Sequence, residues 1–145
     1  MESTISVVKH SNDAVIPSKA GENEIGFDLT VIKKIKDINS TTSMYDTNIS
    51  VRPPNGYYFE IVPRSSLSKT GYILTNSIGI IDPTYRGTLK VVITKICPEA
   101  HEFELPNKRF QLIPRKYDLN NKLIIKEVDI LDETERGDGG FGSTD

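Results

Sequence analysis

The stretch PRSSLSKTGYILTNSIGIIDPTYRGTLKVVIT, residues 63–94, decides how the chain is read. Three short runs, Tyr72 to Thr75, Ile78 to Ile81 and Leu89 to Ile96, are rich in β-branched residues and cut apart by Asn, Gly and Pro. That is the composition of brief strands joined by turns. Ser65 to Lys69 has room for one helical turn. Most of the residues with chemical potential, Arg64, Ser65, Ser66, Asn76, Asp82 and Tyr85, fall inside the same stretch.

Working outward, Ile5 to Lys9, Gly26 to Ile32, Tyr57 to Val62, Phe103 to Leu105, Arg109 to Ile113 and Leu123 to Val128 read as further strands. Ser11 to Asn23 is polar and broken by Pro17 and Gly21, and Val51 to Gly56 is a turn cluster. Lys33 to Thr47 has no convincing period and reads as a long loop or two short strands. Many short strands, frequent turns and no amphipathic helix predict an all-β sandwich, jelly roll or barrel-like fold. The tail from Asp129 is acidic, then glycine-rich, and lacks the period of a packed element; mobility is expected of it when nothing is bound.

The 145 residues suffice for one domain with a real core. A net charge of −2, from 18 basic and 20 acidic residues, gives no electrostatic reason to expect a nucleic-acid partner. Cys97 is the only cysteine, which excludes an internal disulfide and suits a reducing compartment. His10 and His101 stand far apart with no ligand at zinc spacing. No window approaches the ~18 apolar residues of a membrane span, and the N-terminus lacks a signal-peptide core. A soluble, intracellular protein, cytoplasmic or nuclear, is the expectation.

Each chemical candidate has two readings. Asp82 before Pro83 is the start of a type I turn; equally, Ile78, Ile80 and Ile81 could hold its carboxylate partly desolvated, poised to take a proton from water. Arg64-Ser65-Ser66 is either an anion site or a helix cap with a surface Arg. Asn76 favours a turn, yet its amide sets donor and acceptor side by side, as reading a pyrimidine edge requires. Gln111 is an outward polar residue or an anion contact. The tail ERGDGGFGSTD combines four glycines with Arg136, Phe141, Ser143 and Thr144: a backbone able to wrap closely, donors, and a flat face, or else a flexible chain end.

Five stretches in order resemble the motifs of the trimeric dUTPase family: IGFDL at 25–29, PRSSL at 63–67, NSIGIIDPTYRG at 76–87, KRFQLI at 108–113 and RGDGGFGST at 136–144. The resemblance implies a homotrimer of β-clip or distorted jelly-roll subunits, residues 1–128, with a flexible arm at 129–145. It implies Mg²⁺-assisted hydrolysis of dUTP to dUMP and pyrophosphate, at sites assembled from three chains, with no nucleic-acid or membrane partner. By position, Asp82 would be the general base and would contact the deoxyribose 3′-hydroxyl. Tyr85 would lie under the sugar and exclude a 2′-hydroxyl. Asn76 and the backbone of Gly79, Ile80 and Ile81 would read uracil, with Phe141 stacked over it. Arg64, Ser65, Ser66, Gln111, Arg136, Gly140, Ser143 and Thr144 would face the phosphates, and Asp28 would support the metal-bound triphosphate.

Three positions depart from the family pattern. Asn107-Lys108-Arg109-Phe110 replaces the usual Gly-Asp-Arg approach to Gln111, Ser66 stands where many members have Gly, and the chain ends Thr144-Asp145. PRSSLS and IDPTY are also similar to dCTP deaminases, but the Glu that such chemistry needs on the strand after the third motif is missing from Thr88 to Ile96. A non-catalytic nucleotide-binding trimer that signals through its tail is the remaining alternative.

Overall fold

The computed structural model describes residues 1–142. Its strands are β1 (Ser6–Lys9), β2 (Phe27–Val31), β3 (Lys33–Asp37), β4 (Thr42–Asp46), β5 (Ile49–Arg52), β6 (Tyr57–Pro63), β7 (Tyr72–Leu74), β8 (Gly79–Ile81), β9 (Lys90–Lys95) and β10 (Asn107–Lys116). A single 3₁₀ turn, Ser65–Lys69, interrupts them. All pairings are antiparallel and form two four-stranded sheets, ordered β2-β10-β6-β8 and β3-β4-β9-β7, beside a β1-β5 ribbon. This is the all-β, jelly-roll-like architecture expected.

Strand alternation builds the core. Leu29 and Val31 on β2, Phe59 and Ile61 on β6, and Phe110 and Leu112 on β10 point inward from one sheet, while Tyr45, Leu74, Val91 and Ile93 belong to the other; all are buried in one cluster. The residues between them face the opposite side. Asp28, Gln111 and Val62 are therefore direct neighbours in one row across β2, β10 and β6.

Three readings of the sequence need correction. Phe103 to Leu105 is not a strand: Phe103 is a buried plug in an irregular segment, its ring centroid 5.3 Å from both Tyr45 and Tyr72 and 6.0 Å from Phe110. It thereby ties the two sheets together, which explains its apolar character without a strand. Leu123 to Val128 is not a strand either; it pairs with nothing among the described residues, and Leu123, Ile124 and Ile125 are exposed. Val51 and Arg52 end β5 instead of opening a turn. Lys33 to Thr47 resolves into the two-strand alternative. β3 lies at a sheet edge, and its three lysines blur the strand signal while discouraging pairing with other chains.

Replacing Phe103 by Ala should cost about 3–5 kcal/mol, the range for a buried aromatic, although the residue lies outside every strand. Denaturant unfolding of wild type and variant checks this.

Candidate functional site

The phosphate-type residues come together at the end of β6. Arg64 sits just past that strand with extended backbone (φ −78°, ψ 156°), so the chain turns there into the 3₁₀ segment, which buries Leu67. The Arg64 amide donates to the Arg109 carbonyl (2.9 Å), and its guanidinium donates to the Lys108 carbonyl (2.9 Å) and faces Asp28 Oδ1 (3.3 Å). Gln111 Nε2 donates to the Pro63 carbonyl (3.1 Å). Arg109, in the unusual fourth stretch, donates to the Ser66 carbonyl (2.9 Å). That guanidinium ties β10 to the turn, while Lys108 is exposed beside it. Arg64, Ser66, Lys108 and Arg109 line an open cleft of about 310 Å³.

The base- and sugar-type residues occupy β8 and its flanks. The Ile78 amide donates to the Asn76 carbonyl (2.6 Å) across Ser77, whose φ is 63°, so the chain reverses tightly before Gly79. β8 is the edge of its sheet, so those of its backbone groups that point away from β6 have no strand partner among the described residues. Asp82 does start a turn, accepting from the Tyr85 amide (3.1 Å). The expected apolar shield is not provided by this chain: Asp82 is exposed, as are Ile78 and Ile80. The Tyr85 hydroxyl donates to the Thr88 carbonyl (2.8 Å).

Asp82 and Arg64 stand at opposite ends of β6, whereas Ser77, just before β8, lines one cleft with Arg64 and Ser65. Ile61 pairs with Gly79 and Phe59 with Ile81, so continuing the ladder puts Asp82 beside Tyr58 while Arg64 follows Pro63. At ~3.3 Å per residue that separation is about 20 Å. One chain does not bring Asp82 and Arg64 to a common atom.

In the tail, Arg136 Nε donates to the Gly139 carbonyl (2.7 Å), and Phe141 is fully exposed. Gly140 is half-buried. Ser143 and Thr144 lie outside the described residues.

Two glycines were not singled out from the sequence. A Cβ on Gly26 would collide with the Gln111 amide and come within 2.9 Å of Ile113 Cδ1; one on Gly87 would collide with the Tyr85 hydroxyl and lie 2.6 Å from Cζ of its ring. Each glycine admits the side chain of a candidate site residue. Gly26 lies inside IGFDL and Gly87 closes NSIGIIDPTYRG, but what each makes room for is visible only once the rings and amides are in place.

A family model described as dUTPase matches residues 12–145. The chain belongs to the dUTPase family. The deoxyuridine 5′-triphosphate nucleotidohydrolase of Finegoldia magna is 33% identical over 145 residues, covering 97% of each chain. A solved dUTPase of Staphylococcus bacteriophage 80alpha, bound to dUPNHPP, aligns with a TM-score of 0.77 at 21% identity, covering 98% of both chains. A dUTPase variant from phage phi11 of S. aureus, described with a structural Mg(II) ion, aligns with a TM-score of 0.71 at 17% identity, over 90% of this chain and 100% of its own. At such identities the two structures bear on the fold, and the fold is that of dUTPases.

Gly87→Ala should displace the Tyr85 ring and lower dUTP turnover by up to ~100-fold, the scale of an ångström-size misplacement. Steady-state kinetics checks it, with the thermal midpoint as the control for folding.

Proposed function

We propose that the protein hydrolyses dUTP to dUMP and pyrophosphate, as a homotrimer whose sites are shared between chains. The match to the dUTPase family over residues 12–145 carries the assignment. The shared site is supported by the ~20 Å between Asp82 and Arg64 along β6: phosphate handling from one subunit meets base, sugar and water handling from another. The exposed run Leu123, Ile124, Ile125, Ile130 and Leu131 supports assembly, because apolar surface of that extent seeks a partner. The absence of a carboxylate from Thr88 to Ile96 weighs against deamination.

In this mechanism the free edge of β8 and the Asn76 amide read uracil, since a base with the wrong edge leaves buried polar groups unpaired. The Tyr85 ring excludes a 2′-hydroxyl. Asp82 accepts a proton from the water that attacks the α-phosphate; the neighbouring subunit supplies the dry surroundings that its own chain lacks. Arg64, Ser65, Ser66 and Gln111 hold the phosphates, with charge-assisted bonds that strengthen as charge shifts onto the pyrophosphate leaving group. Residues 129–145 form the arm, in which Arg136, Gly140, Ser143 and Thr144 close over the phosphates and Phe141 over uracil.

The donor set suits Mg²⁺ held through the substrate. Among the described residues no three His, Cys, Asp or Glu cluster, and Asp28 is one carboxylate already facing Arg64. Mg²⁺ characteristically keeps waters and phosphate oxygens as ligands, so Asp28 needs only to support that shell. When bound, the ion offsets phosphate charge in the transition state.

Incubation with Mg²⁺ and, separately, dUTP, dCTP or UTP should release pyrophosphate from dUTP alone. Ammonia from dCTP, or tight dUTP binding without turnover, overturns the reading. Asp82→Asn should still bind dUTP while turnover falls ~10²- to 10⁴-fold, the range for loss of a general base. Chains ending before Arg136 should elute as trimers and scarcely turn over; normal hydrolysis by them removes the arm from the mechanism.

A further inference from the structure

The Asp82–Tyr85 turn is exposed and short, yet the reaction needs it fixed. Within it the Arg86 guanidinium donates to the Pro83 (2.7 Å) and Tyr85 (3.0 Å) carbonyls, and Thr88 anchors it to the sheet. The Thr88 carbonyl accepts from the Tyr85 hydroxyl (2.8 Å) and from Lys90 Nζ (3.2 Å), and the Thr88 hydroxyl accepts from Lys90 Nζ (2.8 Å) while donating to Asp46 Oδ2 (3.1 Å). Asp46 is only 6% exposed, at the end of β4 and paired in register with Lys90 on β9. Its other oxygen accepts from the Asn48 amide (2.9 Å). The carboxylate is thus pinned on one side to the β4–β5 corner and on the other to Thr88.

The next residue closes the frame. Leu89 is completely buried; its amide donates to the Ile49 carbonyl (2.9 Å), and its carbonyl accepts from the Thr47 amide (3.0 Å) and hydroxyl (2.8 Å). Leu89 fixes the chain direction, while Asp46 and Lys90 fix the rotation of the Thr88 peptide that receives the Tyr85 hydroxyl. A buried carboxylate costs several kcal/mol in desolvation unless its lone pairs are filled. A group that costly, bonded to a turn instead of to a cation, favours one setting of that turn.

We infer that Asp46, through the Thr88 hydroxyl and Lys90, is a positioning residue for the Asp82–Tyr85 turn and sets how closely the Tyr85 ring approaches the sugar. It touches neither nucleotide nor water. The inference rests on the dUTP-hydrolase reading above. Because the Tyr85 hydroxyl is already committed to Thr88, the ring discriminates by its position, and its position is what the Asp46–Thr88–Lys90 group holds. Loosening the group opens room for a 2′-hydroxyl and blunts the preference for deoxyribose, an effect that loss of stability alone does not produce.

The test compares kcat/KM for dUTP with that for UTP in wild type, Thr88→Val, Thr88→Ser and Asp46→Asn, alongside thermal midpoints. Thr88→Val keeps the carbonyl but removes the hydroxyl link, and should lower the dUTP/UTP ratio by about 10- to 100-fold; Thr88→Ser should restore most of it. Asp46→Asn keeps an acceptor for Asn48 but offers N–H groups where Thr88 donated, and should resemble Thr88→Val; if it does not fold, the threonine pair decides. Variants that lose thermal stability at an unchanged ratio, or a serine variant as permissive as the valine one, overturn the inference. Wild type inert toward dUTP sinks the underlying reading and this inference with it.

Discussion

The register of β6 is the constraint on which the rest of the structure depends. It pairs with β10 on one side and β8 on the other, carries Phe59 and Ile61 into the core, and releases Arg64 at its end. A slip of one residue would turn both core side chains to solvent. It would also shift Arg64 against Asp28 and Asp82 against the rest of the sheet. Burial of two side chains therefore also fixes the spacing between Arg64 and Asp82, so the packing that stabilises the sheet sets the positions of both candidate residues.

The half-sites are held by different means. Around Arg64 the bonds are main-chain to main-chain and guanidinium to carbonyl, tying the end of β6 and the 3₁₀ turn to β10, while the Arg64–Asp28 ion pair reaches β2. These bonds form within the one chain, so that end is organised in advance. Asp82 by contrast sits on a turn beside a sheet edge, with an unshielded carboxylate. Under the function proposed above, a base so exposed needs a second surface to exclude that water, and assembly would be part of the chemistry beyond its contribution to stability.

Much of this was legible in the sequence, because the aromatic and β-branched composition of Tyr57 to Val62 and Leu89 to Ile96 marks strands. The failures have physical causes. Phe103 looks like strand because it is large and apolar, but its burial comes from three aromatic neighbours brought together by tertiary packing. Leu123 to Val128 looks like strand for the same reason and has no partner among the described residues. Lys33 to Asp37 hid because an edge strand facing water needs no alternation. For the site, residue types marked Arg64, Asp82 and Gln111 as candidates, while Gly26 and Gly87 act by what they lack, and Asp46 reaches the site through a bond to a residue 42 positions away.

That last case bears on why the turn carrying Asp82 and Tyr85 tolerates exposure. Tyr85 could orient a ligand through its hydroxyl, but the hydroxyl is bonded to the Thr88 carbonyl, so only the ring face and edge remain. A ring discriminates by contact distance, and repulsion rises steeply once atoms approach inside van der Waals separation, so a shift of a few tenths of an ångström matters more than any single hydrogen bond. A turn used in this way must be stiff although it cannot be buried. The structure meets both demands by placing the stiffness one step back, in Asp46 and Leu89, where burial is available, and by leaving the turn itself exposed.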